Sequence, residues 1–293
     1  MKRSWLYIFL LITIDLLLLR EWKFLALFIF IIALYIAICI TRTQPEIRRK
    51  YGDIIIILLT FIALWTVFTK YMILENSGLY PQPIVILDLL ITDFPRFILN
   101  FAVSIRAFSL GVGAALLTGL TVGISLGLNE RIRTAVNPYV KLIGGVSPIA
   151  YVPYIIGIMP TFWYASVFVI FFGTVWHVIK WTMYGIGSLD RNIYTGAKLM
   201  NVSRAHFLTG VLLPGIMPSV LEGVSQAITA GFSVLIAAEM IGSRNGLGFY
   251  IKYYADFLNY PKVITGIIYL GISICIVTWL LDRVKKRLLY WQA

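Results

Sequence analysis

Four polar residues, Glu222, Gln226, Thr229 and Ser233, interrupt a long apolar run at spacings of four, three and four. On a helix those spacings put them on one face. Polar side chains within an apolar segment face a bundle interior or a watery cavity rather than hydrocarbon. Such a face can line a solute pathway, or it can hold neighbouring helices by hydrogen bonds, and spacing alone leaves both open. Glu239, near the end of the same run, is a further pathway candidate beside a boundary that water reaches. Other chemistry has no residues to carry it. There is no G-x-x-x-x-G-K-[ST] loop to cradle phosphates and no H-E-x-x-H; His177 and His206 stand alone. Cys39 and Cys275 lie in apolar runs and form no motif. No catalytic residue, metal site or resident cofactor is expected.

The whole chain shares the character of that run. Of its 293 residues 60% are hydrophobic and only 13% charged, and its mean hydropathy is +0.88. Soluble domains carry about twice that share of charge. The composition excludes an ordinary soluble enzyme and a disordered chain, and it names a lipid bilayer as the solvent. The net charge of +12 resides in short loops between apolar runs. That is the pattern of cytoplasmic membrane loops, not of a nucleic-acid binder.

A crossing helix needs about 20 apolar residues. Eight runs qualify: 5–19, 24–40, 54–74, 98–128, 139–159, 162–187, 211–241 and 263–281. Lysine and arginine concentrate at the N-terminus, at Arg42–Lys50, at Arg131–Lys141, at Arg191–Arg204 and at Arg283–Arg287. The positive-inside bias therefore places both termini in the cytoplasm, and eight crossings satisfy it. Residues 1–19 read as an uncleaved first span, because no small-x-small site follows them. The expected fold is all-α, a polytopic bundle of membrane helices.

Three further features stand out. Gly111, Ala115, Gly119, Gly123 and Gly127 recur every four residues. They form a ridge of small residues for close helix packing, within one subunit or between subunits. Pro148 and Pro153 predict a kink within the fifth run. The loop 188–213 is long and cytoplasmic by charge, and its middle, 195–207, has no proline and predicts a short helix. A part-apolar helix outside the membrane can dock on another protein or rest on headgroups.

At this loop the chain resembles the permease subunits of ATP-binding-cassette importers, whose cytoplasmic signature is E-A-A, three residues, G, nine residues, I-x-L-P. Aligned on Leu213 and Pro214, Thr195, Gly196 and Ala197 take the E-A-A places, Asn201 the glycine place and Val211 the isoleucine place. Val202–Arg204 followed by Val211–Pro214 resembles the A-S-R … V-L-L-P of the nitrate/sulfonate/taurine-type permeases. So do Ala237–Gly242 (A-A-E-M-I-G) with Gly246-Leu247-Gly248, and Tyr80-Pro81-Gln82-Pro83 at the domain entry.

The resemblance implies a six-span importer core, with the N-terminal two-span hairpin as an addition. Residues 1–50 would be that hairpin and a basic linker, and 51–293 the transmembrane domain with coupling loop 188–213. It implies a separate ATPase subunit that binds ATP and Mg and couples through Thr195, Gly196, Ala197, Met200, Asn201, Ser203, Arg204, Leu213 and Pro214. It also implies an extracytoplasmic binding protein, a second permease copy, commonly as a homodimer, and a prokaryotic inner or plasma membrane. The chain itself would be no enzyme, and its substrate would be a small anion such as a sulfonate, nitrate or bicarbonate. A stand-alone secondary transporter is the alternative. It would be expected to show paired internal repeats and coupling-ion acids at the midplane, whereas the sequence has no convincing repeat and few intramembrane acids.

Overall fold

The computed structural model describes residues 79–190 and 202–289, part of 53–69, and Asn192, Ile193, Gly196 and Met200. The expected hairpin, with runs 5–19 and 24–40, lies outside the described residues. Eight helices of four or more residues are described from Pro83 on: α1 (Pro83–Thr92), α2 (Phe94–Gly127), α3 (Glu130–Gly145), α4 (Val152–Ile158), α5 (Phe162–Ser188), α6 (Leu213–Gly242), α7 (Leu247–Asp256) and α8 (Tyr260–Leu288), with a 3-10 turn at Pro148–Tyr151 and no strand among the described residues. α2, α5, α6 and α8 are long and apolar enough to cross a membrane, and the bent pair Glu130–Gly145 and Pro148–Ile158 raises the count from four to five. The protein is a multi-pass helical membrane protein.

The described residues fall into two units. The smaller holds positions up to Phe94 and Ala255–Thr265. Within it Lys262 Nζ lies 3.4 Å from Asp93 Oδ2, and Asn259 Oδ1 accepts the Lys262 amide at 3.3 Å. The larger holds Pro95–Tyr254 and the chain from Gly266 on. Its core is α5 and α6 lying side by side, with α2 packed on them through Phe108 and Val112, α3 through Val140 and α4 through Val152 and Ile155.

Helix starts follow local chemistry. Thr161 is extended and its hydroxyl accepts the Tyr164 amide, opening α5; Asn129 does the same for α3 by accepting from Arg131 and Ile132. Each cap satisfies amides that the first helical turn leaves without partners.

The expected run 139–159 is bent at its prolines and begins earlier than expected. α3 starts at Glu130, and the chain turns by 70° before α4. Pro148 and Pro153 supply no amide protons, and Ser147 is extended, so no continuous ladder joins the two helices.

The ridge of small residues packs inside the subunit. A Cβ at Gly111 would stand 2.7 Å from Ile170, at Gly119 2.8 Å from Val178, at Gly123 2.7 Å from Thr182 and at Gly127 2.5 Å from Ile186, while Ala115 is fully buried. α2 and α5 approach so closely that no side chain fits between them. In lipid this close packing, not water exclusion, holds helices together.

Candidate functional site

α6 carries the polar face. Glu222, Thr229 and Ser233 are exposed along one side of a helix whose other sides are largely buried. The Glu222 carboxylate stands 3.8 Å from Lys285 Nζ on α8, and its side chain is 48% exposed. The Thr229 and Ser233 hydroxyls donate to the carbonyls of Ser225 and Thr229 at 3.1 and 3.3 Å. Their protons are satisfied within the helix, and their lone pairs remain open to whatever lies alongside. Gln226 differs from its neighbours: Oε1 accepts the indole N–H of Trp181 on α5 at 2.9 Å. Beside it Gly223 admits the Trp181 side chain, since a Cβ there would lie 2.7 Å from the Trp181 Cβ. The face thus divides into one tie between helices and three exposed polar groups.

Glu239 does not share that exposed face. It is 3% exposed and points toward α2 and α7. Three successive amides open α7, and each meets a side-chain acceptor. Gly246 N–H donates to Asn100 Oδ1 at 3.0 Å, Leu247 N–H to Ser104 Oγ at 2.9 Å, and Gly248 N–H to Glu239 Oε2 at 2.8 Å. Ser104 Oγ–H completes the set by donating to Glu239 Oε1 at 2.6 Å. A helix N-terminus carries partial positive charge and unpaired donors, so a carboxylate there is favoured on both counts.

The two glycines make the clamp possible. Gly246 has φ +118, and a Cβ on it would run into the Glu239 carboxylate. A Cβ on Gly248 would lie 2.6 Å from the Ile236 carbonyl oxygen. The stretch from Ala237 through Gly248 is therefore one structural device, an acid and two glycines locking the start of α7.

The loop 188–213 differs from the expected helix 195–207. Thr195, Ala197 and Asn201 lie outside the described residues. The Met200 amide donates to the Gly196 carbonyl at 3.0 Å, as in a helical turn, and Met200 is 81% exposed. The helix does not run on to 207. Ser203 is extended, with ψ 150, and its Oγ accepts the His206 amide at 3.3 Å, so it caps a new helical start at Arg204. Arg204 is exposed, and Leu213 and Pro214 are half-buried at the start of α6. Between them Phe207–Leu212 is a π-helical turn. Pro214 has no amide proton to give the Gly210 carbonyl, and the wider ladder before it accommodates that gap.

With this geometry in view, comparison with known proteins decides the family. The family described as "Binding-protein-dependent transport system inner membrane component" matches residues 115–290. The chain belongs to that family.

Two curated members lie near it in sequence. The taurine transport system permease protein TauC of Escherichia coli (strain K12) is 29% identical over 258 residues, spanning 84% of this chain and 90% of its own. The nitrate import permease protein NrtB of Leptolyngbya laminosa is 27% identical over 222 residues, spanning 73% and 80%. Among solved structures, an inward-facing MetNI methionine ABC transporter aligns with a TM-score of 0.56 at 15% identity, covering 64% of this chain and 94% of that one. That likeness concerns the fold. The α6 face and the loop 188–213 lie within the matched residues, while Asn100 and Ser104 lie before them.

Sequence reasoning passed over four participants: Asn100, Ser104, Trp181 and Lys285. Asn100 and Ser104 are four apart in an apolar run. That is the same signal that exposed Glu222 and Gln226, and it was available. Trp181 and Lys285 carry no local signal, because their partners come from other helices.

Proposed function

We propose that the chain is the transmembrane permease subunit of an ATP-driven importer. It forms the pathway for a small anionic solute of the sulfonate, nitrate or bicarbonate kind and is driven by a separate ATPase. The observation that carries this reading is the exposed polar side of α6. An ionisable Glu222 with Thr229 and Ser233 on a membrane helix calls for a watery pathway or a second subunit beside it. Family membership supplies the rest. The relatives' taurine transport and nitrate import favour an oxyanion cargo.

In this reading two copies of the chain enclose the pathway with their α6 faces. The eight crossings keep both termini in the cytoplasm of a prokaryotic cell, and an extracytoplasmic binding protein delivers the solute. ATP and Mg reside in the partner ATPase, which docks on the loop around Gly196, Met200, Ser203 and Arg204. Two conformations of the paired permease, biased by the nucleotide state of the ATPase, then expose the pathway to alternate sides.

The test is purification of the tagged chain from its host in mild detergent, with partners identified by mass spectrometry. Recovery of a polypeptide bearing a G-x-x-x-x-G-K-[ST] loop is the expected result. Its absence even after cross-linking at Ser203→Cys would overturn the coupling assignment.

A further inference from the structure

A cavity of about 340 Å³ opens where the first half of α2, the start of α5 and the end of α6 meet. Its walls are mixed. Val103, Ala107, Phe162 and Trp163 make an apolar side, and Arg244 and Asn245 make a polar rim. Ser166 also lines it; this residue is 3% exposed, and its hydroxyl has no hydrogen-bond partner among the described residues. A buried hydroxyl without a partner is costly, so such a group is a candidate place for another molecule to complete the structure.

The cavity lining carries one cation, Arg244, and one acid, Glu239. Arg244 pairs with no carboxylate among the described residues. Arg106 lies over the Trp163 ring at 5.7 Å from its centroid, adding a second cation behind that wall. The one acid on the lining, Glu239, has both oxygens bonded already, to Ser104 and Gly248. The other hydroxyls are also engaged: Thr161 caps α5, and Ser243 closes the turn with Asn245.

We propose that this cavity binds an oxyanion bearing a short apolar tail, with Arg244 and the Ser166 hydroxyl on the oxyanion and Phe162 and Trp163 against the tail. A guanidinium meets a sulfonate, carboxylate or phosphate with paired charge-assisted hydrogen bonds, and a serine hydroxyl adds a donor. By the positive-inside orientation the site lies at the non-cytoplasmic end, where solute enters. As an entry site it rests on the importer reading, whereas binding itself is measured on the permease alone. Two sources share this chemistry, a transported solute and a phospholipid headgroup, and the experiment separates them.

The probe is 1-butanesulfonate, titrated calorimetrically into the full-length protein in phosphatidylcholine nanodiscs. The expected result is saturable binding, competed by nitrate. Arg244→Gln should weaken it about tenfold or more and Ser166→Ala several-fold, at unchanged melting temperature. Wild-type affinity in Arg244→Gln would overturn the proposal, as would no binding up to about 10 mM by folded protein. Suppose instead that phosphatidylglycerol discs block the probe, and native mass spectrometry finds that lipid on the wild type but not on Arg244→Gln. The oxyanion site then stands, with lipid phosphate as its occupant. A missing ATPase partner would undo the entry role and leave these binding results intact.

Discussion

Ser104 on α2 donates its hydroxyl proton to Glu239 on α6 at 2.6 Å while accepting the Leu247 amide of α7 at 2.9 Å. One hydroxyl thereby joins three helices, and the carboxylate it contacts also holds Gly248. Removing the acid leaves the Ser104 hydroxyl and the Gly248 amide without acceptors in a buried place. Glu239→Ala should therefore destabilise by about 2–4 kcal/mol, and Glu239→Gln, which keeps one acceptor and adds donors, by clearly less. Melting of the purified variants in detergent reads the order. Equal loss in both would show that the hydrogen bonds do not matter.

The glycines in that clamp predict a second outcome. Gly248→Ala sets a methyl against the Ile236 carbonyl, backbone against backbone, with no side chain free to yield. It should cost about 1–3 kcal/mol or more. Gly113→Ala, with nothing within 4 Å of its Cβ, is the matched control and should be near neutral. Similar melting for the two would contradict the close approach.

The ridge on α2 gives a third. Gly119→Ala and Gly123→Ala each place a methyl under 3 Å from Val178 or Thr182 on α5. Each should lower the apparent melting temperature while leaving the proposed pairing of two copies unchanged, because the ridge faces α5 of its own subunit. Loss of dimer without loss of stability would return the ridge to a subunit interface.

Met200 gives a fourth. Its exposed side chain in the cytoplasmic loop is the docking contact of the proposed coupling. Met200→Glu should reduce ATPase co-purification about tenfold or more and abolish uptake, with normal amounts of permease in the membrane. Unchanged transport would count against the loop as the docking surface.

Much of this was legible in the sequence, and the limits have physical causes. The expected run 162–187 and the observed Phe162–Ser188 nearly coincide, because Pro160 and Thr161 mark the start of α5 locally. The prolines of the fifth run announced a bend, but a turn of 70° depends on what α4 packs against. The break at Ser203 had a local sign, a capping serine ahead of Arg204, which the absence of proline obscured.

Glu239 is the instructive case. It follows Ser233 by six residues, roughly 240° farther round the helix, so period alone removes it from the polar face. Its side-chain partner Ser104 lies more than a hundred positions away, where no spacing rule reaches.

The most direct measurement is the water accessibility of the α6 face. Cys39 and Cys275 are first replaced by alanine, and Thr229→Cys, Ser233→Cys and Leu117→Cys are then introduced singly and treated with a membrane-impermeant cationic thiol reagent. Leu117 is a 73% exposed apolar residue on α2 and serves as the lipid-facing reference. A pathway along α6 predicts labelling at 229 and 233, none at 117, and a change in labelling when ATP is supplied to the assembled transporter. Positions 229 and 233 as unreactive as 117, with and without ATP, would contradict it.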